Sequence, residues 1–178
     1  MEGKNLDRDY DILMELKEIE ERFGVKSSKF SGALLAETVK SHLENEGFKV
    51  SNRDVFIQGI KNELDLLILK PNARSISNLC YDVNEVLAVL ELKKRGAIGY
   101  QTRINVKNLF DTIVEMNSNI RCVYLTLTER KTYTFRVSEE ELGHAVFELF
   151  PREKGIFNFE KFAHGFGVWN KFVSFLTQ

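Results

Sequence analysis

No run of apolar residues in this chain approaches the length needed to cross a bilayer, and the residues after Met1 are charged rather than an apolar leader stretch. A membrane protein is therefore not expected; a soluble, cytoplasmic one is. Cysteine is scarce, with Cys80 and Cys122 far apart and in no CxxC spacing. The three histidines, His42, His144 and His164, stand at ligand spacing to neither cysteine, which removes a structural zinc site and leaves reduced, packed thiols. Nor does any of them have a triad partner at a familiar spacing. Charge of one sign is also missing. The 25 Lys and Arg against 26 Asp and Glu give a net charge of −1, so the chain projects no broad field that would draw a polyanion, although a local basic strip can still exist. Internal repeats and low-complexity linkers are absent as well.

What is present fits one globular domain. In 178 residues, 43% hydrophobic and 29% charged, there is enough apolar side chain for one sizeable core. Leu6, Tyr10, Leu13, Met14 and Phe23 predict an acidic amphipathic helix at 5–23, stopped by Gly24. A second helix is expected at about 29–45, with Leu35, Val39 and Leu43 on one face and Gly47 after it. The period then shortens. Phe48, Val50, Val55 and Ile57 suggest extended chain interrupted by polar residues at 51–54, and an apolar run follows at 63–69. Residues 73–84 read as an irregular polar excursion before a buried strand at 86–93. A helix at 103–117 and a strand at 120–127 come next, which makes a parallel crossover with the strand before them. Another strand is expected at 131–137. A capping box at Ser138 to Glu141 opens a helix that runs through Leu149 to Pro151, and a phenylalanine-rich terminal helix closes the chain.

Acids inside apolar strands are the most informative feature. An unpaired buried carboxylate costs several kcal/mol, roughly, so a strand carries one only where a partner compensates it. Asp65 sits in the run 63–69, and Glu91 and Lys93 close the strand 86–93. Side chains alternate along a strand, so Leu64, Leu66 and Ile68 should face one way and Glu63, Asp65 and Leu67 the other; Glu91 and Lys93 share one face. If the two strands are neighbours, Asp65, Glu91 and Lys93 converge. Two close carboxylates repel unless a divalent cation lies between them, and oxygen donors suit Mg²⁺ or Mn²⁺ better than zinc.

The order helix, three strands, helix, strand over 29–127, with Gly-Ile-Lys-Asn-Glu-Leu-Asp at 59–65 and Glu91-Leu92-Lys93 ending the third strand, resembles the PD-(D/E)xK nuclease superfamily. Restriction endonucleases, archaeal Holliday-junction resolvases and Mrr-like defence nucleases share that core. The resemblance implies a mixed α/β (α+β) fold: a restriction endonuclease-like αβββαβ core at 29–127 whose mixed central sheet is flanked by helices, within one domain spanning 1–178. Helical additions are expected at 1–24 and 138–178. It implies that Asp65, Glu91 and the Leu92 carbonyl ligate a Mg²⁺ or Mn²⁺ ion, and that Lys93 positions and activates the attacking water. Glu37 matches the acid that many members carry on the preceding helix, with Glu44 as a competing position. No proline precedes Asp65, and the connection from Asp65 to Glu91 is longer than a minimal hairpin, which points to an inserted loop.

The function so implied is metal-dependent hydrolysis of nucleic acid, a DNA endonuclease in restriction, defence or DNA processing. The alternative is a catalytically inactive nuclease fold used for binding or assembly, which the near-neutral charge and the acidic first helix would suit. Lys94 and Arg95, with Arg103 and Lys107 beyond them, are candidates for a phosphate-binding strip, although charged turns after strands are ordinary. Tyr100 and Gln101 do not match the helix motif of exonuclease-type relatives. The C-terminal phenylalanines are spaced for packing rather than for base stacking. A homodimer, or a partner subunit, is compatible with cutting both strands.

Overall fold

Ser28–Asn45 forms the first helix, α1, and the expected face is the buried one: Leu35, Val39 and Leu43 are all inside. Gly47, at φ 92°, ends it as only glycine does without strain, and the Phe48 N–H reaches back to the Leu43 carbonyl at 3.0 Å. The chain then enters β1 (Lys49–Val50), β2 (Phe56–Ile57) and β3 (Leu66–Leu69). The computed structural model describes residues 28–93, 99–127, 138–149 and 168–178. The helix expected at 5–23, the strand expected at 131–137, and Phe159, Phe162 and Phe166 lie outside those residues.

Beyond β3 come β4 (Ser75–Ser77), β5 (Cys80–Tyr81), a 3-10 turn capped by Asp82, and the long β6 (Val86–Lys93). The helix α2 (Tyr100–Met116), β7 (Arg121–Leu127), a short α3 (Glu139–Leu142), β8 (Ala145–Leu149) and α4 (Val168–Thr177) complete the described chain. The main sheet has the order β1-β3-β6-β7-β8, antiparallel across its first three strands and parallel across its last three. It is a mixed α/β fold with helices on both faces. On one face α1 and α4 pack Leu35, Val39, Leu43, Trp169 and Phe172 onto Leu66, Ile68, Leu90 and Leu92. On the other, α2 and α3 pack Val106, Phe110, Ile113 and Leu142 onto Leu67, Val89, Cys122 and Tyr124. With both faces covered, β3 and β6 are apolar nearly throughout, which is why alternation is faint in their sequences.

Three expectations change. Residues 73–84 are not irregular: β5 pairs with β2, and β4 pairs with β5, in a small second sheet built partly from polar residues such as Ser75 and Ser77 that give no alternating signal. Leu64 does not share the face of Leu66; it bridges to Val55 and joins the core under α2. The stretch from Ser138 is not one helix, so the C-terminal region is not wholly helical. The capping box forms, but Gly143 at φ 73° stops the helix after one turn, and Ala145–Leu149 adds to the open side of β7 as a parallel strand. Hydrogen bonds offered by that strand decide the outcome over local helix propensity. Among the described residues no helix is long and apolar enough to cross a membrane.

His42 lies buried edge-on against Trp169 at 5.5 Å between ring centres. Burial lowers its pKa to about 4, whereas in the unfolded chain it titrates at the ordinary 6.5. Between those values the unfolded chain takes a proton that the folded chain refuses, so stability is kept above pH 6.5 and lost as pH falls toward 4. Denaturant titrations of wild type and His42→Phe should diverge over that window by on the order of 1–2 kcal/mol. Parallel curves for the two proteins would contradict this.

Candidate active site

The register of the sheet builds the site. β3 and β6 run antiparallel with Leu66 opposite Leu90 and Leu67 opposite Val89. Carried one residue beyond the N-terminal end of β3, the same register sets Asp65 across from Glu91. On its other side Glu91 pairs in parallel register with Tyr124 of β7. Registered neighbours leave a sheet on one face, so Asp65, Glu91 and Tyr124 form a row under α2, with Lys93 in the next row. Leu64 has turned away to exchange hydrogen bonds with Val55, and this frees the Leu92 N–H from a strand partner. The Asp65 carboxylate takes that N–H instead, at 2.6 Å. The N–H and C=O of a residue in extended chain point to the same edge, so the Leu92 carbonyl also opens toward Asp65, past the end of β3.

Lys93 Nζ donates to Glu91 Oε1 at 2.5 Å and lies 3.9 Å from Asp65 Oδ2. The side chains are 33% (Lys93), 12% (Glu91) and 31% (Asp65) exposed, so the cluster lies in the wall of the sheet and still reaches solvent. One ammonium thus faces two carboxylates. Burial is the largest influence on Asp65 and raises its pKa; the Asp54 charge adds to this, while Lys93 and the Leu92 N–H oppose it without prevailing. Glu91 is likewise raised, first by burial and then by Asp65, against the pull of Lys93. For Lys93 burial works against the charge, but Glu91 and Asp65 together outweigh it and raise its pKa, so it is an ammonium at neutral pH.

Glu37 is half-exposed on α1 and faces Arg53, whose Nε lies 4.0 Å from Glu37 Oε1. Arg53 Nη1 also meets Asp54 Oδ2 at 3.3 Å, and Asp54 bears on Asp65, so among the described residues Glu37 is linked to the cluster through two other side chains. Lys94 and Arg95 lie outside the described residues. Arg103 is paired with Glu141 at 2.9 Å and Lys107 with Asp111 at 2.6 Å, so neither is a free cation awaiting a phosphate. Tyr100 stands exposed on the first turn of α2.

Two neighbours of the cluster escape a reading of the sequence. Asp54 adopts φ 58°, a left-handed conformation uncommon for aspartate, and gives its N–H to the Asp65 carbonyl. In the sequence it is one of four polar residues between apolar pairs, with no signal beyond that. Tyr124 looks like any aromatic in a central strand, and only the register of β6 and β7 reveals that it adjoins Glu91.

No protein-family model matches the chain, and no curated protein matches it in sequence. Two solved structures match it in three dimensions. Pseudomonas aeruginosa ATCC27853 NucC in its cAAA-bound form superposes at a TM-score of 0.61 and 11% identity, covering 99% of this chain and 91% of that one. For Escherichia coli MS115-1 NucC, also cAAA-bound, the TM-score is 0.59 and the identity 9%, with 99% and 90% covered. This chain shares the fold of these two NucC structures, a mixed α/β sheet with helices on both faces. At that identity the likeness is one of fold, and the residues have to speak for the chemistry.

The resemblance in sequence to PD-(D/E)xK nucleases leads one to expect a divalent cation at Asp65 and Glu91. The donor set here fits one. Asp65 and Glu91 are hard oxygen donors whose pKa values are raised first by burial and then, for Glu91, by the neighbouring Asp65, and a cation between them would offset both. Among the described residues no three of His, Cys, Asp and Glu gather as ligands, so the rest of a coordination shell would come from backbone carbonyl and water. Mg²⁺ commonly binds in that manner, through one or two carboxylates.

The excess negative charge has a measurable consequence. Both acids have folded pKa values above their unfolded ones, so their contribution is most favourable at low pH and is lost as pH rises through the folded values. Asp65→Asn keeps an acceptor for the Leu92 N–H and leaves Lys93 and Glu91 as a neutral pair. In cation-free buffer at pH 7 this variant should melt about 2–4 °C above wild type, corresponding to roughly 1 kcal/mol, and the difference should shrink at pH 3. A lower Tm for Asp65→Asn at pH 7 would mean that Lys93 already balances both acids.

Proposed function

We propose that this chain is a metal-dependent DNA endonuclease, hydrolysing phosphodiester bonds in restriction or another defence process, with Asp65, Glu91 and Lys93 at its centre. The observation that carries the reading is the cross-strand placement of Asp65 opposite Glu91 with one ammonium between them. In this reading the two carboxylates and the Leu92 carbonyl hold a Mg²⁺ or Mn²⁺ ion. When bound, the ion supplies Lewis-acid stabilisation of the phosphate and lowers the pKa of water.

Lys93 is kept protonated by its acidic neighbours, so it acts as a hydrogen-bond donor. It steadies a phosphate oxygen and the attacking water; it does not take the water's proton. Hydrolysis forms a bond from the water oxygen to phosphorus and breaks one phosphorus–oxygen ester bond, leaving a phosphate end and a hydroxyl end. Glu37 contributes by anchoring Arg53, which in turn holds Asp54 beside Asp65. Lys94 and Arg95, which follow Lys93 in the sequence, are this reading's candidate substrate-binding residues. The whole of 1–178 is taken as one nuclease-like domain acting in the cytoplasm, and cleavage of both strands would use two copies of the chain.

Plasmid cleavage tests the reading directly, with and without added cAAA because both NucC neighbours were captured with it bound. Wild type should cut with Mg²⁺ or Mn²⁺ and stop on chelation. Asp65→Ala and Lys93→Ala should each lower kcat by about 10²-fold or more, the usual cost of removing one transition-state stabiliser. Glu37→Gln, acting through Arg53, should cost less than about tenfold by the same comparison. Equal activity in wild type, Asp65→Ala and Lys93→Ala would remove the mechanism and leave a nuclease fold used for binding or assembly.

A further inference from the structure

The floor of the site contains a polar group that the hydrolytic reading does not use. Tyr124 stands beside Glu91 in the parallel register of β6 and β7, on strands about 4.8 Å apart, so both side chains leave the sheet on the same face. The Tyr124 side chain is completely buried, and its hydroxyl meets no hydrogen-bond partner among the described residues. A buried hydroxyl left unpaired is costly, and such exceptions call for an explanation where they occur in native structures. Packing alone does not supply one. Val89, Phe110 and Cys122 share the same core with the Tyr124 ring and would accept phenylalanine as readily.

The electrostatics say what the hydroxyl can do. Burial, then the charges of Glu91, Asp65 and Glu148 in that order, push its pKa up, so the phenol keeps its proton and is available as a donor. Glu91 is the acid nearest in register, and its Oε1 is held by Lys93. In the nuclease reading Lys93 would share Glu91 with a cation seated between the two acids, and a bound phosphate would draw the ammonium further off, which would leave Glu91 short of a donor.

We propose that Tyr124 is a positioning residue whose hydroxyl donates to the Glu91 carboxylate as Lys93 withdraws, fixing the orientation in which Glu91 meets a divalent cation. This rests on the nuclease reading of the same site. Partners in the outer shell of a metal site orient its ligands, and their loss commonly weakens metal affinity about 10- to 100-fold.

The test is calorimetric titration of Mn²⁺ into the full chain, as wild type and as Tyr124→Phe, together with cation-free Tm values and tyrosine absorption. Tyr124→Phe removes one oxygen and no packing volume. It should keep or raise the Tm while weakening Mn²⁺ binding about tenfold. Mn²⁺ should shift the tyrosine absorption band to the red in wild type, as a phenol that begins to donate does, and the shift should be missing in the variant. Mn²⁺ affinity within twofold of wild type overturns the assignment. Weaker binding accompanied by a Tm lower by several degrees also overturns it, since packing would then be the cause. A wild type that binds no Mn²⁺ at all overturns the cation reading of Asp65 and Glu91, and the role of Tyr124 with it.

Discussion

Two carboxylates share one ammonium at the edge of a hydrophobic layer, and much of the structure around them exists to keep that imbalance in place. The Asp65 carboxylate, partly open to solvent, is tied back to the sheet by the Leu92 N–H. Glu91 cannot withdraw because it is part of β6, whose neighbours on both sides are fixed by the register of a five-stranded sheet. The apolar layers above and below, from Leu35 and Phe172 on one face to Phe110 and Val89 on the other, hold the sheet rigid enough to keep like charges close. A buried ionic cluster of this kind is weak evidence for stability. Here it sits at strand ends that still open to solvent.

The second sheet belongs to the same argument. Val55 belongs to the connection between β1 and β2, and its bridge to Leu64 draws the chain away from β6 one residue before Asp65. Without that diversion Leu64 would occupy the Leu92 N–H, and the Asp65 carboxylate would have no backbone partner. Asp54, in its left-handed conformation, closes the same turn from the other side. The long excursion between β3 and β6 is thus more than an insertion, because β5 pairs with β2 and steadies the segment leading to the site.

Much of the main sheet was legible in the sequence. Leu35, Val39 and Leu43 mark α1, and the run from Val86 to Lys93 marks β6 with its charged end. Acids within apolar strands were visible for a physical reason: burying charge is expensive, so its presence is informative. The rest depended on pairing. Ser75–Ser77 forms a strand because Tyr81 and Cys80 lie alongside, not because serine prefers one. Residues 145–149 become a strand because β7 offers an open side, whereas the sequence showed only a capping box and a distant proline. Tyr124 and Asp54 were silent for the same reason, since nothing near them in the chain reveals what stands across the sheet.

Because side chains alternate with a period of two, the register that seats Glu91 is sensitive to chain length in a way its chemistry is not. One residue added or removed between Val86 and Glu91 would turn Glu91 and Lys93 toward Leu43 and Phe172, and bring Leu90 or Leu92 round to face Asp65. Between Leu69 and Val86 the backbone passes through the small sheet, and an extra residue there can be absorbed in a turn. In descendants of this sequence, insertions and deletions should therefore collect in the hairpin and spare the last strand turn before Lys93, even where the amino acids themselves drift.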